Sequence, residues 1–99
     1  MTITKNQDGG KLTVALEGRL DTSTSPQLEA ELRSAVNGVK ELTFDLQNLD
    51  YISSAGLRVL LAAQKVMNRQ GGMKVTNVKP EIMEIFEVTG FVDILKIEN

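Results

Sequence analysis

From Lys11 to Glu17 apolar and polar residues alternate, with Leu12, Val14 and Leu16 on one face and Lys11, Thr13, Ala15 and Glu17 on the other. That alternation predicts a half-buried strand. The residues before it, Thr2 to Gln7, favour extended structure, and Asp8-Gly9-Gly10 between the two is a hairpin turn signal. Gly18-Arg19-Leu20-Asp21 leaves the strand and runs into Thr22-Ser23-Thr24-Ser25-Pro26, where Ser25 ahead of Pro26 predicts a helix N-cap with proline at the first helical position. Leu28, Leu32 and Val36 then recur at four-residue spacing until Gly38 stops the helix.

Leu42 to Leu46 predicts a central strand, followed by a loop over Gln47 to Ile52. A second helix begins at Ser53 or Ser54. Leu57, Leu60, Leu61 and Gln64 share one of its faces, Val59, Ala63, Val66 and Met67 widen the apolar arc, and it ends before Gly71-Gly72. Met73 to Val78 predicts another strand. Pro80 opens a last helix with Ile82, Ile85 and Phe86 at helical spacing, Gly90 closes it, and Phe91 to Ile97 gives an apolar turn and a final short strand. The order β-β-α-β-α-β-α-β predicts an α/β fold: a mixed sheet of about five strands with about three to four helices, opening on an antiparallel hairpin. No linker, repeat or low-complexity segment interrupts it, so residues 1–99 are expected to form one domain.

Composition removes whole classes of chemistry. The chain has neither cysteine nor histidine, which excludes a disulfide, a thiolate nucleophile, a Cys-based zinc site and any Ser-His-Asp triad. Eleven Lys and Arg stand against thirteen Asp and Glu, scattered among one another. Without a basic stripe, and with only one Tyr and three Phe for stacking on bases, nucleic acid is not an expected partner. The N-terminus has no apolar leader segment and no run approaches membrane-spanning length, so the expected location is the cytoplasm, with no membrane partner.

Two segments could carry function. In Asp50-Tyr51-Ile52-Ser53-Ser54-Ala55-Gly56-Leu57, two adjacent hydroxyls sit where a helix begins and backbone N–H groups lack partners. One reading is purely architectural: a serine caps the helix, and Ala55 and Gly56 are small because the helix packs closely there. The other is that one serine caps while the second is exposed as a phosphate acceptor. The helix terminus favours the added charge, and a visiting protein surface is repelled. The second segment, Gly18-Arg19-Leu20-Asp21 and the hydroxyl-rich run after it, gives Asp21 either a turn role or a place on a contact face. Loops after neighbouring strands can form such a face in an open sheet.

Gly18-Arg19-Leu20-Asp21 after the second strand, Phe44-Asp45-Leu46 before the loop, Ser53-Ser54-Ala55-Gly56-Leu57 opening the second helix, and Val88-Thr89-Gly90-Phe91 after the third together resemble the STAS domain, in particular the anti-sigma factor antagonists. The resemblance covers essentially the whole chain. It implies a phosphorylation-controlled binding switch that is not an enzyme. Unmodified, such a protein binds an anti-sigma factor serine kinase and frees the sigma factor; phosphorylated, it lets go; a PP2C-type phosphatase resets it. It also implies a monomer when free.

The family's acceptor motif is Asp-Ser-(Ser/Thr)-Gly-Leu with the first serine modified. Laid on Gly56-Leu57, it places the acceptor at Ser54. Ser53 replaces the family's Asp, which leaves it as the alternative acceptor, and Ala55 replaces the following hydroxyl residue. The expected partner-binding residues are Asp21, Thr22, Ser53, Ser54, Ala55, Gly56 and Leu57.

Other readings remain open at this level. A STAS subunit of a lipid-transport ABC system would dock on its ATPase without phosphorylation. A small serine-dependent enzyme would use Ser54, for which the sequence offers no obvious base. Asp45 and Asp50 could be imagined as a metal pair, but carboxylates at a strand end are more often turn or cap residues. Gly71-Gly72 lacks the Lys-Ser/Thr of a phosphate loop. No metal and no cofactor is expected.

Overall fold

The computed structural model describes residues 1–99. β1 (Thr2–Asp8) and β2 (Lys11–Leu20) pair antiparallel across the Gly9-Gly10 turn. From β2 onward every pairing is parallel: β2 with β3 (Glu41–Ile52), β3 with β4 (Gly72–Thr76), and β4 with β5 (Ile97–Glu98). The strands therefore stand in chain order across one five-stranded sheet. Parallel neighbours need long crossovers. These are supplied by α1 (Ser25–Ala35), α2 (Ser54–Gln70) and α3 (Pro80–Thr89), the last followed by a single 3-10 turn at Phe91–Asp93. The mixed α/β sheet, its opening hairpin and its three helices agree with the fold class expected from the sequence.

The alternation read from β2 has the expected consequence. Leu12, Val14 and Leu16, with Leu42, Phe44 and Leu46 of β3 and Met73 and Val75 of β4, are buried on one face of the sheet. Lys11, Thr13, Glu41 and Lys74 alternate onto the other face, where they are exposed. Leu28 and Leu32 of α1, Leu57, Leu60 and Met67 of α2, and Ile82 and Phe86 of α3 complete the core. Fully burying one such side chain contributes about 1.5–3 kcal/mol relative to leaving it in water. Three of them therefore hold α2 on the sheet without any help from its first residue, Ser54. No helix is long and apolar enough to cross a membrane.

Several boundaries differ from those expected. β2 continues to Leu20 instead of ending near Glu17, and the loop expected over residues 47–52 is the second half of β3. The cause is a pair of irregularities in the β2–β3 register. Ala15 faces Asp45 but Glu17 faces Asn48, and Gly18 faces Leu49 but Arg19 faces Tyr51, so β3 carries one extra residue at each step. Each bulge moves the side-chain alternation by one position. The buried residues of this stretch thus fall at Leu46, Leu49 and Ile52, a three-residue spacing that hides a strand.

At the start of α1 the N-cap is Thr24, not Ser25, and Pro26 lies one position deeper than expected. β4 ends at Thr76, short of Val78. Gly71, where α2 meets β4, is required by close approach: a Cβ there would sit 1.9 Å from the carbonyl oxygen of Lys40.

Candidate partner-binding site

β2 and β3 end side by side, and the two segments singled out by sequence leave the sheet there. The amide of Ser53 donates to the carbonyl oxygen of Leu20 at 2.9 Å, fastening the start of α2 to the end of β2.

The loop after β2 is organised by Asp21. Its Oδ1 accepts hydrogen bonds from the Ser23 amide at 3.0 Å, the Ser23 hydroxyl at 2.8 Å and the Thr24 amide at 3.1 Å. The Ser23 hydroxyl does most to hold the Asp21 carboxyl below its ordinary range; desolvation opposes it and outweighs either amide alone, and the Thr24 and Ser23 amides add to the lowering. Thr24 Oγ1 accepts from the Asp21 amide and donates to the Arg19 carbonyl, both at 2.8 Å. The Ser25 hydroxyl donates to the Asp21 carbonyl at 2.6 Å, which explains why Ser25 does not serve as the cap. The loop is a closed hydrogen-bonded unit in which Thr22 is exposed.

Beside it, Arg19 and Tyr51 are cross-strand partners. The guanidinium carbon lies 4.3 Å from the ring centroid, and Arg19 Nε is 3.7 Å from Asp21 Oδ2. A cation over an aromatic face is attracted by the ring quadrupole, so the arginine links the Asp21 loop to the end of β3.

The α2 segment divides its residues sharply by exposure. Ser54, the first residue of the helix, is exposed, and its hydroxyl takes no part in any hydrogen bond within the chain. Ala55 is half-buried. Ser53 holds the N-cap position with extended backbone but makes no side-chain capping bond, so the expected serine cap is not formed. Its Oγ is buried without a hydrogen-bond partner.

Gly56 and Leu57, expected on the contact face, lie beneath it. Leu57 is buried, and a Cβ on Gly56 would come within 2.7 Å of Leu20 Cγ and 2.9 Å of Ile52 Cγ1. The glycine lets the first turn of α2 rest directly on the strand ends, and so sets where Ser54 emerges. Of the residues nominated by sequence, Asp21, Thr22, Ser54 and Ala55 form the outer rim; Ser53, Gly56 and Leu57 support it.

The two carboxylates imagined as a metal pair have separate partners. Asp45 Oδ1 accepts from the Gln47 amide at 3.0 Å and from Asn77 Nδ2 at 3.1 Å, closing the first bulge. Asp50 pairs with Lys79 at 2.8 Å. The contact of Arg19 with Tyr51 has no local signal in the sequence, because it depends on the second register shift between β2 and β3.

Comparisons with known proteins agree with one another. The family model described as "STAS domain" matches residues 2–99. The "Putative anti-sigma factor antagonist BtrV" of Bordetella bronchiseptica is 41% identical over 101 aligned residues, spanning 100% of this chain and 87% of that protein. A structure of the anti-sigma factor antagonist SpoIIAA in its unphosphorylated form superposes with a TM-score of 0.85, covering 99% of this chain and 89% of that one at 17% identity. The Bacillus cell fate determinant SpoIIAA in the phosphorylated form superposes at 0.77, covering 99% and 92%, also at 17% identity. At that identity the two structures speak to the fold alone.

Proposed function

Because this chain belongs to the STAS domain family, we propose that it is an anti-sigma factor antagonist whose grip on its partner is released by phosphorylation of Ser54. The observation that carries this reading is the Ser54 hydroxyl, uncovered and free of hydrogen bonds at the head of a helix that stays anchored without it. The partner is an anti-sigma factor that is also a serine kinase, and the contact face is the rim of Asp21, Thr22, Ser54 and Ala55.

In the transfer step Ser54 Oγ forms a bond to the γ-phosphorus of ATP. The bond from that phosphorus to the β–γ bridging oxygen breaks, ADP leaves, and the hydroxyl proton passes to a base on the kinase. A PP2C-type phosphatase returns the serine by hydrolysis, with inorganic phosphate as the product.

The modification adds about −1.5 to −2 charge at neutral pH. At the N-terminus of α2 that charge meets unpaired amides and the favourable end of the helix dipole, so the fold accepts it. A partner surface that had closed over a neutral hydroxyl now has to bury a near-dianion, and binding weakens. The host is unchanged while its surface becomes repulsive to the visitor.

The test is incubation with the anti-sigma kinase and ATP, followed by intact-mass measurement, site mapping and a binding assay. One phosphate on Ser54 with loss of kinase binding is the expected result. Phosphate on Ser53 alone, or undiminished binding by the Ser54-modified protein, would overturn the proposal.

A further inference from the structure

We propose that Arg58 is a built-in receiver for the phosphate on Ser54, closing an ion pair within the first turn of α2 when the switch is thrown. The inference rests on the functional reading above and concerns the regulation of that same site.

Residues four apart on a helix lie on one face, and long helical side chains lean back toward the N-terminus over the preceding turn. Arg58 is four residues after Ser54 in α2, so the two side chains lie on one face of the helix, within the reach of an i,i+4 pair. Arg58 is exposed and takes no part in any of the ion pairs of the chain. Arg19 and Arg33, by contrast, are committed to Asp21 and Glu29. Arg58 also borders a depression of about 220 Å³ between the heads of α1 and α2, lined with Thr22, Ser25 and Glu29.

The surrounding charges leave the arginine available. From α1 the group facing it is Glu29, held by Arg33 at 3.2 Å; from the loop after β2 the nearest acid on the rim is Asp21, enclosed by its own hydrogen bonds and Arg19. α2 itself has no acidic residue in its first turn. A helix of this kind usually gains from negative charge at its start, and α2 has only an unpaired cation near it. A phosphate on Ser54 supplies the missing anion, and arginine is well suited to hold it through two parallel N–H donors.

The unmodified rim thus presents a free cation to a visiting protein. Phosphorylation adds negative charge and, in the same step, withdraws that cation from the partner.

The experiment installs phosphoserine at position 54 during translation of the full chain, so that it does not depend on any kinase. The phosphate is then titrated by phosphorus NMR in otherwise unaltered protein and in the Arg58→Gln and Arg58→Lys variants. An ion pair favours the dianion, so the second phosphate pKa is expected to be lower by about 0.5 unit with Arg58 than with Gln, with Lys restoring part of the shift. Phosphorylation is also expected to raise the melting temperature by ~2–4 °C more when Arg58 is present than in Arg58→Gln, which keeps only the contribution of the helix terminus. Identical titration curves for the protein with Arg58 and the Gln variant would overturn the proposal. A kinase that ignores Ser54 would sink the functional reading while leaving this titration as it is, so the two failures are distinguishable.

Discussion

Gly56 and Leu20 are in such close register that a single added carbon on the glycine would stand 2.7 Å from the leucine's Cγ, well inside van der Waals contact. Leu20 is fully buried at the end of β2 and cannot swing into solvent to make room. The Ile52 side chain, 2.9 Å from the same point, closes the other direction. The height of α2 over the strand ends, and with it the position of Ser54, is set by the absence of a side chain at residue 56.

Gly56→Val should therefore lift or tilt the head of α2. Overpacking of this kind costs about 1–3 kcal/mol, which chemical denaturation of the variant would register as a lowered midpoint. Partner affinity should fall as well, because Ser54 and Ala55 move with the helix. A Gly56→Val variant of unchanged stability that still held its partner would show that the close approach has no role.

The Ser53 side chain yields a prediction of opposite sign. Its Oγ is buried without a hydrogen-bond partner and makes no capping bond. Replacing a capping serine normally costs ~1 kcal/mol, but here there is no capping bond to lose, and removing an unsatisfied buried polar atom is neutral or favourable. Ser53→Ala is expected to be as stable as the parent protein or up to about 1 kcal/mol more stable, and still to take phosphate at Ser54. A clear drop in melting temperature would mean that the hydroxyl is used.

Asp21 gives the loop a dependence on acid. Hydrogen bonds from the Ser23 hydroxyl and from the Thr24 and Ser23 amides hold its carboxyl below the ordinary range. A depressed folded-state value contributes stability that is fully present above the unfolded value and is lost as pH falls through the lowered one. The Asp21 share of stability should thus be constant near neutrality and disappear only on the acid side of the usual carboxylate range. Melting curves of Asp21→Asn against pH should show a shallower acid limb than the parent. Superimposable acid limbs would place the loop's stability elsewhere.

How far the sequence could anticipate all this depended on whether a local pattern survived into the fold. Leu12, Val14 and Leu16 alternate in an unbroken ladder, and Leu57, Leu60 and Gln64 recur at helical spacing, so β2 and α2 were legible. The second half of β3 was not, because two extra residues shift its phase and leave Leu46, Leu49 and Ile52 at a spacing that belongs to neither strand nor helix. The same shift hid the stacking of Arg19 on Tyr51, a contact that exists only in the bulged register. The start of α1 was missed by one residue because Asp21, four positions upstream of Ser25, organises the turn and draws the Ser25 hydroxyl back to its own carbonyl. At the site itself, the family resemblance nominated Ser54, but the sequence could not separate the rim from its support; burial alone distinguishes Ser54 and Ala55 from Gly56 and Leu57.

Ser54→Asp tests the electrostatic part of the switch without any enzyme. The substituted carboxylate sits at the first residue of α2, where unpaired amides and the helix dipole favour negative charge, and Ser54 makes no hydrogen bond that the change could break. Its stability should therefore remain within about 1 kcal/mol of the parent. A single carboxylate carries less charge and fewer acceptor oxygens than a phosphate, so the loss of partner affinity should be real but smaller than that of the phosphorylated protein. Ser54→Ala separates charge from the loss of the hydroxyl: it should bind like the parent and resist release by kinase and ATP. Calorimetric titration of the anti-sigma factor into all three proteins gives the comparison directly. A Ser54→Asp variant that unfolds would make Ser54 an architectural residue, and one that binds with full affinity would remove charge repulsion as the means of release.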